Sequence, residues 1–165
     1  MAIHYAVYDT LINDVTLLAN ERSLIGMLFG ANDPLGAENE ENLCLYDAIC
    51  QLNQYFFGQL KLFHVRLFYT GSDFDMKVYN YVCTIPYGHT KTFVEVAEAI
   101  GEPNAAKAVA NALSHNPIPI FIPDHRVIGK GGNLVTYCGP LELKKALLEL
   151  ESKHSEDIFI PKGQN

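Results

Sequence analysis

The stretch that most constrains the fold is residues 90–117, which read TKTFVEVAEAIGEPNAAKAVANALSHNP. Thr92 and Glu95 have the spacing of a capping box, so a helix is predicted to begin there. Gly101 is a typical helix end, and a second helix is predicted over 105–113. The residues predicted to face inward from the first helix are Val94, Ala97 and Ile100. Two helices joined by a short turn that contains glycine form the helix-turn-helix pattern.

This pattern leaves two interpretations open. The second helix is rich in alanine, with Ala105 and Ala108 among its small residues, and such a helix can approach a DNA groove closely. The same pattern also fits two packed core helices with no role in DNA binding. Periodicity alone does not choose between them.

The chain upstream of this stretch predicts a smaller lobe of mixed structure. The segments AVYDTL and VTLLANERSLIGMLFG predict three short antiparallel strands, with a turn near Asn20 and Glu21. The segment LYDAICQLNQYFFG predicts an amphipathic helix that ends at Gly58. Its apolar face is predicted to consist of Ile49, Leu52 and Phe56.

A further helix is predicted at the junction of the two lobes. Ser72 and Asp75 have capping-box spacing, and Pro86 ends the apolar stripe that follows them. That stripe is predicted to consist of Phe74, Val78, Tyr81, Val82 and Ile85. The predicted domains are an N-terminal α+β lobe over 1–71 and a second domain over 72–165.

Composition argues against several other classes of protein. No apolar run approaches the ~20 residues that a membrane span needs, and the start MAIHYAVYDT lacks a secretory signature. We therefore expect a cytoplasmic protein that does not act at a membrane. The cysteines show neither a CxxC pair nor suitably spaced histidines, so we predict no metal site and no disulfide framework. These cysteines are Cys44, Cys50, Cys83 and Cys138.

The net charge of -7 is unevenly distributed. Residues 1–75 carry three basic and ten acidic residues, whereas residues 76–165 carry nine of each. A polyanionic partner would therefore have to meet the second half of the chain. Because that half is only neutral, we expect local phosphate contacts and not long-range attraction.

Three stretches, two of which overlap residues 90–117, resemble the O6-alkylguanine-DNA alkyltransferases, the methylated-DNA-protein-cysteine methyltransferase family. They read IPYGHTKTF, AIGEPNAAKAVANALSHNPIPIFIPDHRVIGKGG and YCGPLELKKALLELE, and the similar region covers about residues 72–151. The family's signature there is Pro-Cys-His-Arg-Val after an Asn-Pro turn. The N-terminal lobe resembles the family more loosely. The resemblance implies an α+β fold with a small N-terminal antiparallel-sheet lobe and a helical C-terminal domain that contains a winged-helix-like helix-turn-helix.

The resemblance also implies a chemistry. Members of this family bind double-stranded DNA through the minor groove, flip an alkylated guanine into a pocket, and move the alkyl group irreversibly to the motif cysteine. No cofactor takes part. We therefore expect a monomer whose partner is double-stranded DNA with a flipped alkylated guanine.

The resemblance assigns roles to individual residues. Asn116 would support the turn beneath the active-site loop, His125 would be the base beside the nucleophile, and Glu151 would orient that histidine. The pocket would be lined by Tyr137, Cys138 and Gly139. Arg126 fits a structural arginine of the family, and it is also placed with the predicted DNA-binding residues. That DNA-binding set is Phe93, Lys107, Ala105, Ala108 and Arg126.

Three departures from the family pattern fall at functional positions. Asp124 stands at the position of the acceptor cysteine, Lys107 stands where an arginine finger is usual, and Phe93 replaces a tyrosine that helps to rotate a phosphate. Lysine keeps the charge of arginine but lacks its planar fork, and phenylalanine lacks the hydroxyl. We therefore expect weaker DNA binding, or a helix surface that has drifted after function lapsed.

Asp124 itself allows several interpretations. A carboxylate is a much weaker nucleophile than a thiolate toward an alkyl carbon, and its ester product would be hydrolysable. An ionised Asp124 would repel the O6 lone pair of guanine, whereas a protonated one could donate to it. It could also pair with His125 or Arg126, or accept from an exocyclic amine. Cys138 could be a relocated alkyl acceptor or an ordinary small residue before the following Gly-Pro turn.

The leading hypothesis is a non-catalytic alkyltransferase-like protein that recognises alkylated guanine for DNA repair, with a repair protein as a possible further partner. The first alternative is a pseudoenzyme that acts through protein contacts of its acidic N-terminal lobe. A positive strip around Lys91, Lys107 and Lys130 would count against that alternative. The other alternative is an active methyltransferase silenced by an engineered change of cysteine to Asp124.

Overall fold

A computed structural model describes residues 1–134 and 137–155 of the chain. The predicted second domain therefore includes residues, 135–136 and 156–165, that lie outside the described part. The described residues form an N-terminal sheet lobe and a C-terminal helical domain, so the predicted α+β class is confirmed.

The N-terminal lobe is built on a four-stranded sheet. Its strands are β1 (His4–Thr10), β2 (Asn13–Ala19), β3 (Leu24–Phe29) and β4 (Glu38–Asn39), in the order β3-β2-β1-β4. The first three strands are antiparallel, as predicted, and Asn20 makes the predicted turn by accepting from the backbone of Arg22 and Ser23. The sequence did not predict β4, which pairs with β1 in parallel.

The helix α1 (Leu43–Phe56) packs its buried face against this sheet. Asn42 caps its first turn by accepting from the Leu45 backbone N–H. Gly58 ends the segment with a positive φ of 75°, a conformation that favours glycine. All three predicted core residues of this helix, Ile49, Leu52 and Phe56, are buried.

The C-terminal domain holds the remaining helices and a small sheet. Its elements are α2 (Asp73–Val82), β5 (Lys91–Thr92), α3 (Phe93–Ala99), α4 (Ala106–Ser114), β6 (Val127–Ile128) and α5 (Leu141–His154). Both predicted capping boxes are present, at Ser72 with Asp75 and at Thr92 with Glu95. The strands β5 and β6 pair in parallel and connect the helix-turn-helix to the loop that follows it.

The helices α3 and α4 pack together as a helix-turn-helix, and Gly101 ends the first of them with a φ of 81°. One predicted core position in this pair is wrong, because the Val94 side chain is 48% exposed. The capping box starts the helix at Phe93, which turns Val96 and Ala97 toward the core and leaves Val94 on the outer face.

The two lobes share one hydrophobic core, in which residues of β2, α1, α2 and α4 belong to a single buried cluster. Across the described ranges, no helix is long and apolar enough to span a bilayer.

Candidate functional site

The candidate site is the loop IPDHRV, whose residues Asp124–Arg126 form a short 3-10 turn. Asp124, His125 and Arg126 are all buried, with exposures of 3%, 0% and 7%. Buried ionisable groups are costly unless they are hydrogen-bonded or paired. The loop is therefore organised around the partners of these three side chains.

Asn116 lies directly beneath this loop. Its Nδ2 donates to the Ile122 carbonyl at 2.9 Å and to Oδ1 of Asp124 at 3.0 Å, and its Oδ1 accepts from the Ile118 backbone N–H at 3.0 Å. The Asn116 side chain thus connects Ile118 and Ile122, which precede the turn, to Asp124.

Glu151, on α5, is the centre of the charged part of the site. Its carboxylate accepts from five donors, which are Tyr55 Oη, Gly88 N, His125 Nε2, Arg126 Nε and Arg126 Nη2. Burial by itself would raise the pKa of Glu151, but the hydrogen bonds and charge supplied by its neighbours outweigh burial and hold that pKa well below its usual range. Arg126 is the permanent cation of this group.

His125 is held in one tautomer by this arrangement. Its Nε2 lies 2.6 Å from Glu151 Oε2, and burial lowers the pKa of the imidazole, so the ring is neutral and Nε2 carries the proton. Its Nδ1 is then the basic nitrogen, and it is buried without a hydrogen-bond partner among the described residues. The geometry therefore leaves a basic nitrogen without a hydrogen-bond partner among the described residues, on the residue that follows Asp124 in the chain.

Arg126, which was also placed with the predicted DNA-binding residues, lies inside the protein. Its guanidinium is buried, and each of its three nitrogens donates a hydrogen bond: Nε and Nη2 to Glu151, and Nη1 to the Ile85 carbonyl at 2.7 Å. This residue supports the site from inside the protein, in line with the structural role that the resemblance also suggested.

The side chain of Asp124 is buried, with Asn116, Cys138 and Lys144 among its polar neighbours. Burial raises the pKa of Asp124 to about 7, although hydrogen bonds with Cys138 and Asn116 and the positive charge of Lys144 act in the opposite direction. The suggested pairing with His125 or Arg126 is not what the structure shows, because both of those side chains are bound to Glu151. Asp124 is thus poised between its protonated and ionised forms near neutral pH.

The predicted pocket wall faces this carboxyl group. Burial raises the pKa of the Cys138 thiol, and the negative charge of Asp124 raises it further, so a Cys138 thiolate is disfavoured. Gly139 packs against the Phe29 ring of β3 so closely that a Cβ at this position would overlap the ring. The Tyr137 ring lies 6.2 Å from the same Phe29 ring, which brings the N-terminal lobe into the wall.

The other residues of the predicted DNA-binding set lie on or beside the helix-turn-helix. Lys107 and Ala108 are exposed on α4, and Ala105 is half-buried just before it. Phe93 is half-buried, with its ring 5.7 Å from Lys144 Nζ, and it lines a cleft together with Lys130. Among the described residues, no ion pair involves Lys91, Lys107 or Lys130.

Two residues of the site were missed by sequence reasoning. Tyr55 comes from α1 in the other lobe, and its hydroxyl donates to Glu151 at 2.6 Å. Lys144 is 1% exposed, and its Nζ donates to the Val127 carbonyl at 2.6 Å. Tyr55 lies in a helix that was predicted to be amphipathic, so the sequence could indicate its burial. It could not indicate the hydrogen bond with Glu151.

A group of potential metal ligands lies away from this site, where none was predicted. His4 Nδ1 lies 3.9 Å from Glu38 Oε2 and 4.0 Å from Glu40 Oε2, and the three ligand atoms are within 4.8 Å of one another. Sequence spacing gave no hint of this group, because the parallel pairing of β1 with β4 brings Glu38 opposite His4.

Comparisons with known proteins cover both lobes. Residues 73–153 match the 6-O-methylguanine DNA methyltransferase DNA binding domain, and residues 3–69 match the ribonuclease-like domain of the same enzymes. A methylated-DNA-protein-cysteine methyltransferase of Mycobacterium tuberculosis strain H37Rv is 41% identical over 156 residues, which cover 93% of this chain and 94% of the relative. One from Methanosarcina acetivorans is 39% identical over 155 residues, covering 90% and 98%.

Solved structures agree with these relatives. The crystal structure of Mycobacterium tuberculosis OGT in complex with DNA superposes with a TM-score of 0.86 and 39% identity, covering 92% of this chain and 94% of that chain. The Mycobacterium tuberculosis O6-methylguanine methyltransferase gives a TM-score of 0.85 and 38% identity, covering 97% and 96%. This chain therefore belongs to the 6-O-methylguanine DNA methyltransferase family.

Proposed function

We propose that this protein binds double-stranded DNA through α3 and α4, holds a flipped alkylated guanine beside Asp124, and acts in damage recognition without accepting the alkyl group. Its role in repair would then be to mark the lesion for another protein.

The observation that carries this proposal is the contrast between Asp124 and its surroundings. The family's Pro-Cys-His-Arg-Val stretch reads Pro-Asp-His-Arg-Val here. Around that one change, Asn116 still holds the loop, and Glu151 still holds His125 and Arg126. The change is therefore confined to the acceptor position, and the side chains that hold the loop in place remain.

DNA binding is supported by the helix-turn-helix and by its relatives. A similar protein has been crystallised with DNA. The exposed Lys107 on α4 and the exposed Lys130 near Phe93 have no ion-pair partners within the described ranges, so they are free to contact phosphates. These lysines favour DNA contact over the alternative in which only the acidic lobe interacts with partners.

Two chemical arguments support the absence of alkyl transfer. Asp124 is a weak nucleophile toward an alkyl carbon, and near neutral pH part of it is protonated, which weakens it further. Cys138, the other potential acceptor, has a raised pKa because of burial and the nearby carboxyl group, so its reactive thiolate is scarce.

The test combines binding with mass measurement. Duplexes with and without one O6-methylguanine are titrated at ~50 mM and ~200 mM salt, and the intact protein mass is then determined. We expect tighter binding of the methylated duplex, weaker binding of both at high salt, and no added methyl group. Absence of binding at the lower salt would overturn the proposal and favour a role in protein contacts, and a gained methyl group would overturn the non-catalytic part.

A matched pair of variants locates the binding surface. Lys107→Ala removes an exposed charge from α4, and Lys153→Ala removes one from the last turn of α5. We expect only the first to reduce the dependence of DNA affinity on salt, by about one released counterion. Equal effects of the two variants would place the DNA elsewhere.

A further inference from the structure

A cavity of about 600 Å³ lies in the N-terminal lobe, away from Asp124. It is bounded by the turn between β2 and β3, by β3 itself, and by the chain segment 66–70. Arg22 and Arg66 line it, together with the apolar side chains of Ile3, Ile25 and Phe68. Cavities of this size, with apolar walls and a few converging polar groups, are typical of small-molecule sites.

The walls of this cavity are held in place by backbone hydrogen bonds. The segment 66–70 runs along β3, where Leu24 N donates to Arg66 O at 2.9 Å and Phe68 N donates to Leu24 O at 3.0 Å. On the other side, Met27 N donates to Pro117 O at 3.0 Å. The backbone around the cavity is therefore ordered before any ligand arrives, which lowers the entropic cost of binding.

The charge of the cavity is opposite to that of its lobe. Residues 1–75 contain ten acidic residues and only three basic ones, yet two of those three, Arg22 and Arg66, line this cavity. No acidic residue is found among the described lining residues. Within the described part of the chain, neither guanidinium has an ion pair or a side-chain hydrogen bond.

We propose that this cavity binds a small organic anion, in which a carboxylate or phosphate group meets Arg22 and Arg66 and an apolar body packs against Ile3, Ile25 and Phe68. Guanidinium groups bind both kinds of anion through paired hydrogen bonds. A concave, largely apolar site suits such a ligand better than a DNA backbone, which offers charge and sugar but no apolar body. The proposal does not depend on DNA binding at Asp124.

A fluorescent probe pair tests the proposal on the full-length protein. The probe 8-anilinonaphthalene-1-sulfonate carries an anionic group on an aromatic body, and N-phenyl-1-naphthylamine is a similar molecule without the charge. We expect the sulfonate to bind at one saturable site in the parent. Because hydrogen bonds to charged groups are the stronger class, Arg22→Gln and Arg66→Gln should each weaken that site about tenfold. Lys153→Gln is the matched control, and thermal unfolding shows whether each variant is folded.

Competition identifies the type of anion. We expect naphthyl phosphate or naphthaleneacetate to displace the sulfonate, and unmodified duplex DNA to leave it bound. The proposal is overturned if both arginine variants bind the sulfonate like the parent, if neither small anion displaces it, or if duplex DNA displaces it. It is also overturned if the arginine variants weaken the neutral probe as much as the charged one, because the cavity would then be only an apolar surface.

Discussion

The side-chain nitrogen of Asn116 lies 3.0 Å from Oδ1 of Asp124, and the same nitrogen also bonds the Ile122 carbonyl. Two of the hydrogen bonds of Asn116, to the Ile122 carbonyl and from the Ile118 backbone N–H, do not involve the Asp124 side chain. The position of residue 124 is therefore fixed by the loop, whatever side chain it carries. This independence allows the acceptor position to be changed without rebuilding the site.

Asp124→Cys is expected to restore alkyl transfer. The thiol would lie next to His125, whose Nδ1 is unpaired in the described structure and can take its proton. Incubation with a duplex that contains O6-methylguanine should add one methyl group to the variant, as read by intact mass, and none to the parent. Asp124→Ser is the control, since a hydroxyl is small and polar but is a poor acceptor. A variant that binds the duplex yet gains no methyl would mean that more than the acceptor has been lost.

The free energy of unfolding is expected to depend on Asp124 and pH. Burial raises its pKa to about 7, so between about pH 4 and pH 7 the folded protein keeps a proton that the unfolded chain releases. The stability of the parent therefore falls as the pH rises through this window. The titratable groups that act on Asp124 are Cys138, Lys144, Tyr79 and Tyr137.

Asp124→Asn removes this titration. We compare the free energies of unfolding of the variant and the parent by urea denaturation at pH 5 and at pH 8. Between these two pH values the difference should shift in favour of the variant by an amount on the order of 3 kcal/mol. Because both proteins share all other titrating groups, the difference isolates residue 124. If the difference in free energy of unfolding between variant and parent were the same at pH 5 and pH 8, the pKa of Asp124 would lie outside this window.

The network around Glu151 is expected to be the most sensitive part of the site. Glu151→Gln leaves the buried Arg126 without its counter-charge, and breaking a buried pair in this way costs about 3–5 kcal/mol. Tyr55→Phe removes only one of the five donors, so we expect a loss of about 1 kcal/mol. The matched control is Glu149→Gln, an exposed change on the same helix, which should stay within about 0.5 kcal/mol. If Glu151→Gln were no more destabilising than this control in urea, the network would contribute little to the fold.

Local signals in the sequence predicted where α2 and α3 begin. A capping box needs only two residues three positions apart, so Ser72 with Asp75 and Thr92 with Glu95 could be recognised before the structure was known. The inward face of α3 was less predictable. In a helix of seven residues a one-residue shift of register decides whether Val94 or Val96 is buried.

The partners within the site could not be predicted in the same way. Tyr55 and Glu151 are separated by 96 residues, and Lys144 reaches Val127 across 17 residues. Such pairs depend on tertiary packing, within the second domain or between the lobes, which no local pattern specifies. Arg126 shows the same limit, since the sequence revealed a cation beside the loop but not whether it faced DNA or Glu151.

The departures on the helix-turn-helix are expected to limit DNA affinity. Lys107→Arg adds a planar fork to an exposed position of α4 without changing its charge, so duplex affinity should rise about threefold to tenfold while its dependence on salt stays the same. Phe93→Tyr adds a hydroxyl to a ring that is already held beside Lys144, and it should strengthen binding through a phosphate contact. Fluorescence anisotropy of a labelled duplex at several salt concentrations measures both effects. Lys153→Arg on α5 is the control, and an equal gain in that control would show that arginine strengthens binding wherever it stands.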